Sequence, residues 1–329
     1  MRIRKLTEKN LIQAIRENFS QKMEDLLLGI GDDAAVIEAG GKKFAITKDL
    51  LIEDYHFRAS LNPPYFLGRK SLSVNLSDIA AMGGRGKYAL LGLSFPASIS
   101  KQWVEDFFSG FESAAKEYGV ALIGGDISEA KKIMISVSVL GEVKNIITRR
   151  GAQPGDEIFV SGTLGNAKAG MILLEKKHKL GREESVDFLL MAFLDPVPQL
   201  GLGEALAQES LASAMIDISD GLSVDLHHLC EESGCGAELE LRKIPISEQL
   251  FVSHKKAHDF ALHGGEDYQL LFTVSPQKLK SVLELRERFV VTSIGRMIPG
   301  KRIYIIDKKG KRKLVKEMGY QHFSKLRKT

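Results

Sequence analysis

The sequence predicts a two-domain α/β protein, and three observations carry that reading. Strand-like and helix-like segments alternate along the chain, which argues against an all-α or all-β build. At 329 residues the chain is long enough for two buried cores. Pro-Gly turn punctuation in RRGAQPGDEIFVSG, from Arg149, marks a boundary. The expected division is 1–150 and 151–329.

In the first part, 43–47 (KFAIT) and 87–95 (KYALLGLSF) are short apolar runs that read as strands. Between them, SVNLSDIAAMGG reads as helix: Asn75 and Asp78 share a face, with Leu72, Leu76 and Ile79 available for the core. Residues 101–118 place apolar or small side chains three and four apart, a helix ended by Gly119. Strands follow at 120–125 and 133–140. The second part gives a strand at Glu157–Ser161, a helix after Gly165 and a strand at 213–218. A helix from Gly221 and an alternating strand at 268–274 complete the pattern.

Composition narrows the function classes. The N-terminal MRIRKLTEKN has no apolar core of a secretory signal, and no uncharged apolar run is long enough to span a bilayer. The cytoplasm is the expected compartment, with no membrane association. Two cysteines, Cys230 and Cys235, exclude a disulfide framework and are too few for a structural zinc site. The net charge of +4 is modest, and the basic C-terminal stretch lacks interleaved aromatics, so no nucleic-acid partner is expected.

The acids are the informative feature. Asp32 and Asp33 follow two glycines in GIGDDA, Asp49 follows KFAIT, and Asp78 lies in SVNLSDIAAMGG. Asp126 ends VALIGGD, Asp217 and Asp220 lie in MIDISDG, and Glu266 and Asp267 follow two glycines in HGGED. An isolated Asp in such a place can cap a turn or a helix, and Asp220 is a candidate N-cap. Four Gly-flanked acidic motifs together point instead to carboxylates gathered on divalent cations. Magnesium takes hard oxygen ligands and bridges carboxylates to phosphates, while glycines let backbone N–H groups approach phosphate oxygens. Asp217 and Ser219, two apart on a strand-like segment, are expected to face one side. Metal-bound polyphosphate is the reading.

Other motifs are set aside. In GIGDDA, two acids directly after the glycines would repel a dinucleotide pyrophosphate unless metals intervened. GRMIPGKR, from Gly295, ends on Arg302 where a P-loop needs Ser or Thr, and a strand-like KRIYIID follows it. Protein-kinase HRD and DFG signatures, a Gly-x-Ser-x-Gly elbow and His-Glu-x-x-His are absent. His227 and His228 read as a polar helix face.

In this order, GIGDDAAVI, ITKDLLIEDYHF, SVNLSDIAAMGG, LIGGDIS, TRRGAQPGD, VSGTLGNAKAGM, IDISDG, GGEDYQLLFTV and GYQHF resemble the thiamine-monophosphate kinases over nearly the whole chain. The resemblance implies the fold shared with aminoimidazole ribonucleotide synthetase (PurM-like). In that fold an N-terminal α/β domain joins its sheet to a partner's across a homodimer, and a C-terminal α/β domain closes the site. It also implies direct transfer of the ATP γ-phosphoryl group to thiamine monophosphate with several Mg²⁺ ions and no phosphoenzyme. Asp33, Thr47, Asp49, Asp78, Asp126 and Asp217 match metal ligands of the family, with Asp220 a further one. Lys48 stands where relatives have a hydroxyl residue, so a metal contact there needs its backbone carbonyl, or its ammonium serves a phosphate. Gly125, Asp126, Arg149 and Ser219 match nucleotide contacts, and Asp78, Asp126, Asp217 and Arg149 are the catalytic set. His56, Glu266 and Tyr320 match positions that hold thiamine monophosphate. Tyr320 either stacks on the thiamine rings or anchors the C-terminal segment.

Rival branches of the fold fit less well. No cysteine precedes Cys230, against a selenophosphate synthetase, and the chain ends LRKT rather than in the cysteine of the hydrogenase maturation branch.

Overall fold

The computed structural model describes residues 7–19 and 23–319. The first region contains α1 (Glu8–Phe19), β1 (Leu26–Leu28), β2 (Ala35–Ala39), β3 (Lys42–Ile52) and α2 (Pro64–Ala81). It continues with β4 (Arg85–Phe95), α3 (Lys101–Tyr118), β5 (Ala121–Glu129) and β6 (Met134–Val143). The strands form a six-stranded sheet in the order β1-β2-β3-β6-β4-β5. Only β4 and β5 run parallel, and α3 supplies the crossover that a parallel pair requires.

One face of this sheet is covered. Ala45, Leu91, Leu93, Ile135 and Val137 pack with Leu72, Leu76 and Ile79 of α2 and with Phe107 and Phe111 of α3. The two helices touch backbone to backbone, because a β-carbon on Gly68 would stand 2.1 Å from the Phe107 carbonyl oxygen. No described element covers the other face, where Ile46, Leu50, Tyr88, Leu90 and Met134 are exposed.

The second region runs β7 (Glu157–Ser161), α4 (Asn166–Glu175), α5 (Glu184–Leu194), α6 (Leu200–Gln208), β8 (Ala212–Asp217), α7 (Leu222–Ser233) and β9 (Gly236–Glu240). It ends with α8 (Glu248–Ser253), α9 (Ala257–His263), β10 (Leu270–Val274), α10 (Leu279–Glu284), β11 (Val291–Ile298), β12 (Ile303–Ile306) and β13 (Arg312–Leu314). Its seven-stranded sheet has the order β13-β12-β9-β11-β7-β10-β8. On one side Ile158, Ile216 and Leu271 meet Leu222, Leu226 and Leu229 of α7. On the other, Phe159 and Phe272 stack at 5.5 Å and pack with Leu202 and Leu206 of α6.

Helix α2 lies between the two sheets. It joins the first core through Leu72, Leu76 and Ile79 and the second through Ala80 and Ala81. Enclosure on nearly every side buries polar residues of the helix as well as apolar ones, and its buried Lys70, Asn75 and Ser77 each find a hydrogen-bond partner.

Several expected boundaries move. β3 runs past KFAIT to Ile52 and takes in Thr47, Lys48 and Asp49. β5 runs through Gly125 and Asp126 to Glu129, so Asp126 lies within an edge strand, not at a strand end. Glycine reads as punctuation in sequence, yet here it permits pairing: a β-carbon on Gly125 would stand 1.9 Å from the Leu91 carbonyl oxygen. β8 stops at Asp217, so alternation along a strand does not extend to Ser219.

Candidate active site

Three acids converge between the two sheets. Asp33 comes from the turn before β2, Asp78 from the last turn of α2, and Asp217 from the end of β8. One carboxylate oxygen of each lies within 4.8 Å of the others. Asp49 approaches from β3, its backbone N–H donating to Asn75 Oδ1 at 3.1 Å.

The three converging acids are each oriented by a neighbour. Ser77 Oγ donates to Asp217 Oδ2 at 2.7 Å, and Thr47 Oγ1 donates to Asp78 Oδ2. Arg149 Nη2 and Nε donate to Asp33 Oδ1 at 2.5 and 3.2 Å, and its backbone N–H reaches Asp32 Oδ2 at 3.2 Å. Strand alternation turns Thr47 and Asp49 toward α2 and puts the exposed Lys48 side chain on the open face.

Burial raises the proton affinity of the whole group. It lifts Asp217 to about 8, with Asp33 adding to the effect. Asp49 rises to about 6 through burial, and Asp78 rises well above the usual carboxylate range through burial and then repulsion from Asp49, Asp217 and Asp33. Asp220, at the rim, rises to about 7 through burial and then repulsion from Glu8. Packed carboxylates of this kind are stable only as protonated acids or around a cation.

The residues fit a divalent cation on a further count. Asp33 Oδ2 is buried and has no hydrogen-bond partner among the described residues, although Arg149 occupies Oδ1 of the same group. Hard oxygen donors of Asp33, Asp78 and Asp217 gathered this closely are the donor set magnesium takes.

Two loops frame the cluster. Asp225 Oδ2 accepts the backbone N–H groups of Asp220 and Gly221 at 3.2 and 3.0 Å and so fixes the ISDG turn. Gly221 is the N-cap of α7, so the alternative reading of Asp220 as a helix cap does not hold. Asp267 likewise accepts from Gly165 and Ala167 at 2.7 and 3.2 Å, fastening the start of α4, which makes it structural. Its neighbour Glu266 stands at φ 60°, with its N–H donating to Ser219 O at 2.7 Å.

Residues 31–143 and 153–308 match the families described as AIR synthase related protein, N-terminal domain and C-terminal domain. The thiamine-monophosphate kinase of Aquifex aeolicus is 37% identical over 330 residues, covering 98% of this chain and 100% of that one. The chain belongs to the thiamine-monophosphate kinase family. The family's Escherichia coli K12 member is 35% identical over 91% of this chain and 93% of its own. A solved structure described as AaThiL complexed with AMPPCP and TMP superposes with a TM-score of 0.87 at 36% identity, over 98% of this chain and 99% of that one. The hydrogenase maturation protein HypE shares the fold, with a TM-score of 0.69 at 16% identity over 90% of this chain and 94% of that one.

Of the positions expected from the sequence to serve the site, the structure gathers Asp33, Thr47, Asp49, Asp78, Arg149 and Asp217 around one centre, with Asp220 at the rim. Ser219 follows Asp217 by two residues, and its carbonyl accepts the Glu266 N–H. His56 follows β3 and accepts the Ile52 N–H on Nδ1 at 3.0 Å, so a neutral ring carries its proton on Nε2. Gly125 and Asp126 stay apart. The row Asp49–Val137–Leu91–Gly125 crosses three strand spacings, about 14 Å, and Asp126 lies exposed on the open side. Tyr320 lies outside the described residues. Lys70, Ser77 and Asp225 were not expected to serve the site; each lies in a helix that carries several other polar residues, so nothing local in the sequence singles it out.

Proposed function

We propose that the protein transfers the γ-phosphoryl group of ATP to the phosphate of thiamine monophosphate, giving thiamine diphosphate and ADP. The observation that carries this reading is the convergence of Asp33, Asp78 and Asp217 with an unpartnered oxygen on Asp33, in a chain of this family. The similar structure with AMPPCP and TMP supports ATP as the donor.

Asp33, Asp49, Asp78 and Asp217, with Asp220 at the rim, would hold Mg²⁺. When bound, Mg²⁺ supplies charge neutralisation and polarisation of phosphoryl oxygens. The protein's own task is to align two anions for in-line transfer. The acceptor phosphate is ionised near neutral pH, so no strong general base is needed. Thr47 and Ser77 fix the carboxylates of Asp78 and Asp217, and Arg149 places a guanidinium suited to charge-assisted bonds with phosphate. Ser219 lies on the nucleotide side. His56, Glu266 and Tyr320 hold the acceptor, and Lys48 contributes through its backbone.

The working unit in this reading is a homodimer. The open sheet face bearing Ile46, Leu50, Tyr88, Leu90 and Met134 is the kind of apolar patch that a second copy buries. Gly125 and Asp126, on the outer strand of that sheet, would then serve the site of the copy across the interface. Residues 1–150 supply dimerisation and most metal ligands, and 151–329 complete the site. No described helix is long and apolar enough to cross a membrane, and we place the enzyme in the cytoplasm, where ATP is available.

The test is product analysis with ATP and Mg²⁺, with and without thiamine monophosphate. Equimolar ADP and thiamine diphosphate, abolished by EDTA, is the expected result. ADP release that ignores the acceptor would overturn the assignment of substrate.

A further inference from the structure

Lys70 is a charged residue buried to 2% exposure in α2, where an unpaired ammonium would be costly. Its Nζ donates to the Phe193 carbonyl at 2.9 Å, stands 4.0 Å from the centre of the Phe193 ring, and meets Glu266 Oε2 at 3.4 Å. Phe193 lies near the end of α5, so this contact ties α2 to the second region. Glu266 is the carboxylate that balances the buried charge, yet its own side chain remains 31% exposed. One oxygen of the carboxylate is thus held while the group stays partly open to solvent.

The loop that carries Glu266 is built to hold an unusual conformation. Glu266 and Tyr268 stand at φ 60° and 48°, a region that side chains other than glycine enter at a cost. Their N–H groups donate to Ser219 O and Ile218 O at 2.7 and 2.9 Å, so the loop lies on the segment that follows Asp217. Lys70 and Ser77 are seven apart, two turns along one helix face. Ser77 fixes Asp217 and Lys70 reaches Glu266. Seven residues of helix rise span about 10 Å, so a single rigid helix sets the separation between the acidic centre and the Glu266 loop.

We propose that Lys70 is a positioning residue for the acceptor: it fixes the Glu266 carboxylate toward the cleft from across the domain boundary, and so governs acceptor binding rather than nucleotide binding. The inference rests on the kinase reading and on Glu266 holding the acceptor.

Steady-state kinetics of Lys70→Met and Lys70→Gln, alone and combined with Glu266→Gln, test it. The methionine keeps the buried stem, and the glutamine keeps a donor for the Phe193 carbonyl. Each Lys70 variant is expected to raise KM for thiamine monophosphate on the order of tenfold while KM for ATP stays within about twofold. In the double variants the Lys70 change adds little to the loss already caused by Glu266→Gln, because both act through one carboxylate. Equal shifts in both KM values, or independent losses that multiply in the double variants, would overturn the proposal. Failure of both Lys70 variants to fold would assign Lys70 to the structure alone and overturn it as well. If wild-type protein makes no thiamine diphosphate in the same assay, the kinase reading itself falls. Wild-type turnover with unshifted variants removes only the role of Lys70.

Discussion

Stripping divalent cations should make the stability of this protein fall steeply as pH rises. Asp217 is buried to 2% exposure, and burial lifts its carboxyl from 3.8 to about 8. Between those values the folded chain keeps a proton that the unfolded chain has released. The stabilisation is therefore complete below about pH 4 and is lost as pH rises through about 8. Each pH unit in that window costs about 1.4 kcal/mol for one such group. Going from about pH 6 to about pH 8 should cost roughly 2–3 kcal/mol through Asp217 alone, a fall in melting temperature of about 5–10 °C. Thermal unfolding with EDTA at three pH values reads this directly. Asp217→Asn should flatten the slope, and saturating Mg²⁺ should abolish it, since a bound cation replaces the protons. Equal slopes for wild type and Asp217→Asn in EDTA would refute the reasoning.

Other perturbations probe separate parts of the account. Asp78→Asn should abolish turnover with circular dichroism unchanged, because it weakens the cation site but keeps the Thr47 contact. Ser77→Ala should lower kcat about tenfold and stability by about 1 kcal/mol, since it frees a buried Asp217 oxygen; unchanged kinetics would contradict its orienting role. Gly125→Ala should destabilise by several kcal/mol in thermal unfolding, because its methyl group would meet the Leu91 carbonyl at 1.9 Å. Leu90→Glu, on the open sheet face, should yield a monomer in light scattering and, if Asp126 serves the neighbouring copy, an inactive one.

Much of the fold was legible because local patterns agreed with it. The helix over 101–118 has its Ser100 cap and a left-handed Gly119, and β7 keeps its expected bounds at Glu157–Ser161. The Gly-flanked motifs together pointed to gathered acids, but which of them meet depends on α2 lying between two sheets, which no local pattern encodes. Where glycines misled, they did so for opposite reasons. Gly125 allows a strand to continue past GGD, whereas Gly221 supplies the helix cap that Asp220 was a candidate to provide. Asp267 resembled a site acid, yet its oxygens are spent on the Gly165 and Ala167 N–H groups, a pairing of residues about a hundred positions apart. Lys70 could not be read from sequence, because its partner Glu266 lies in the other half of the chain.

The central claim is that Asp33, Asp78 and Asp217 jointly hold the cation on which phosphoryl transfer depends. Crystals grown with an ATP analogue and Mn²⁺ in place of Mg²⁺ would locate it by anomalous scattering. A peak within coordination distance of oxygens from all three acids, with Asp33 Oδ2 among them, is the expected result. A nucleotide bound in the cleft with no peak among the three would contradict the account.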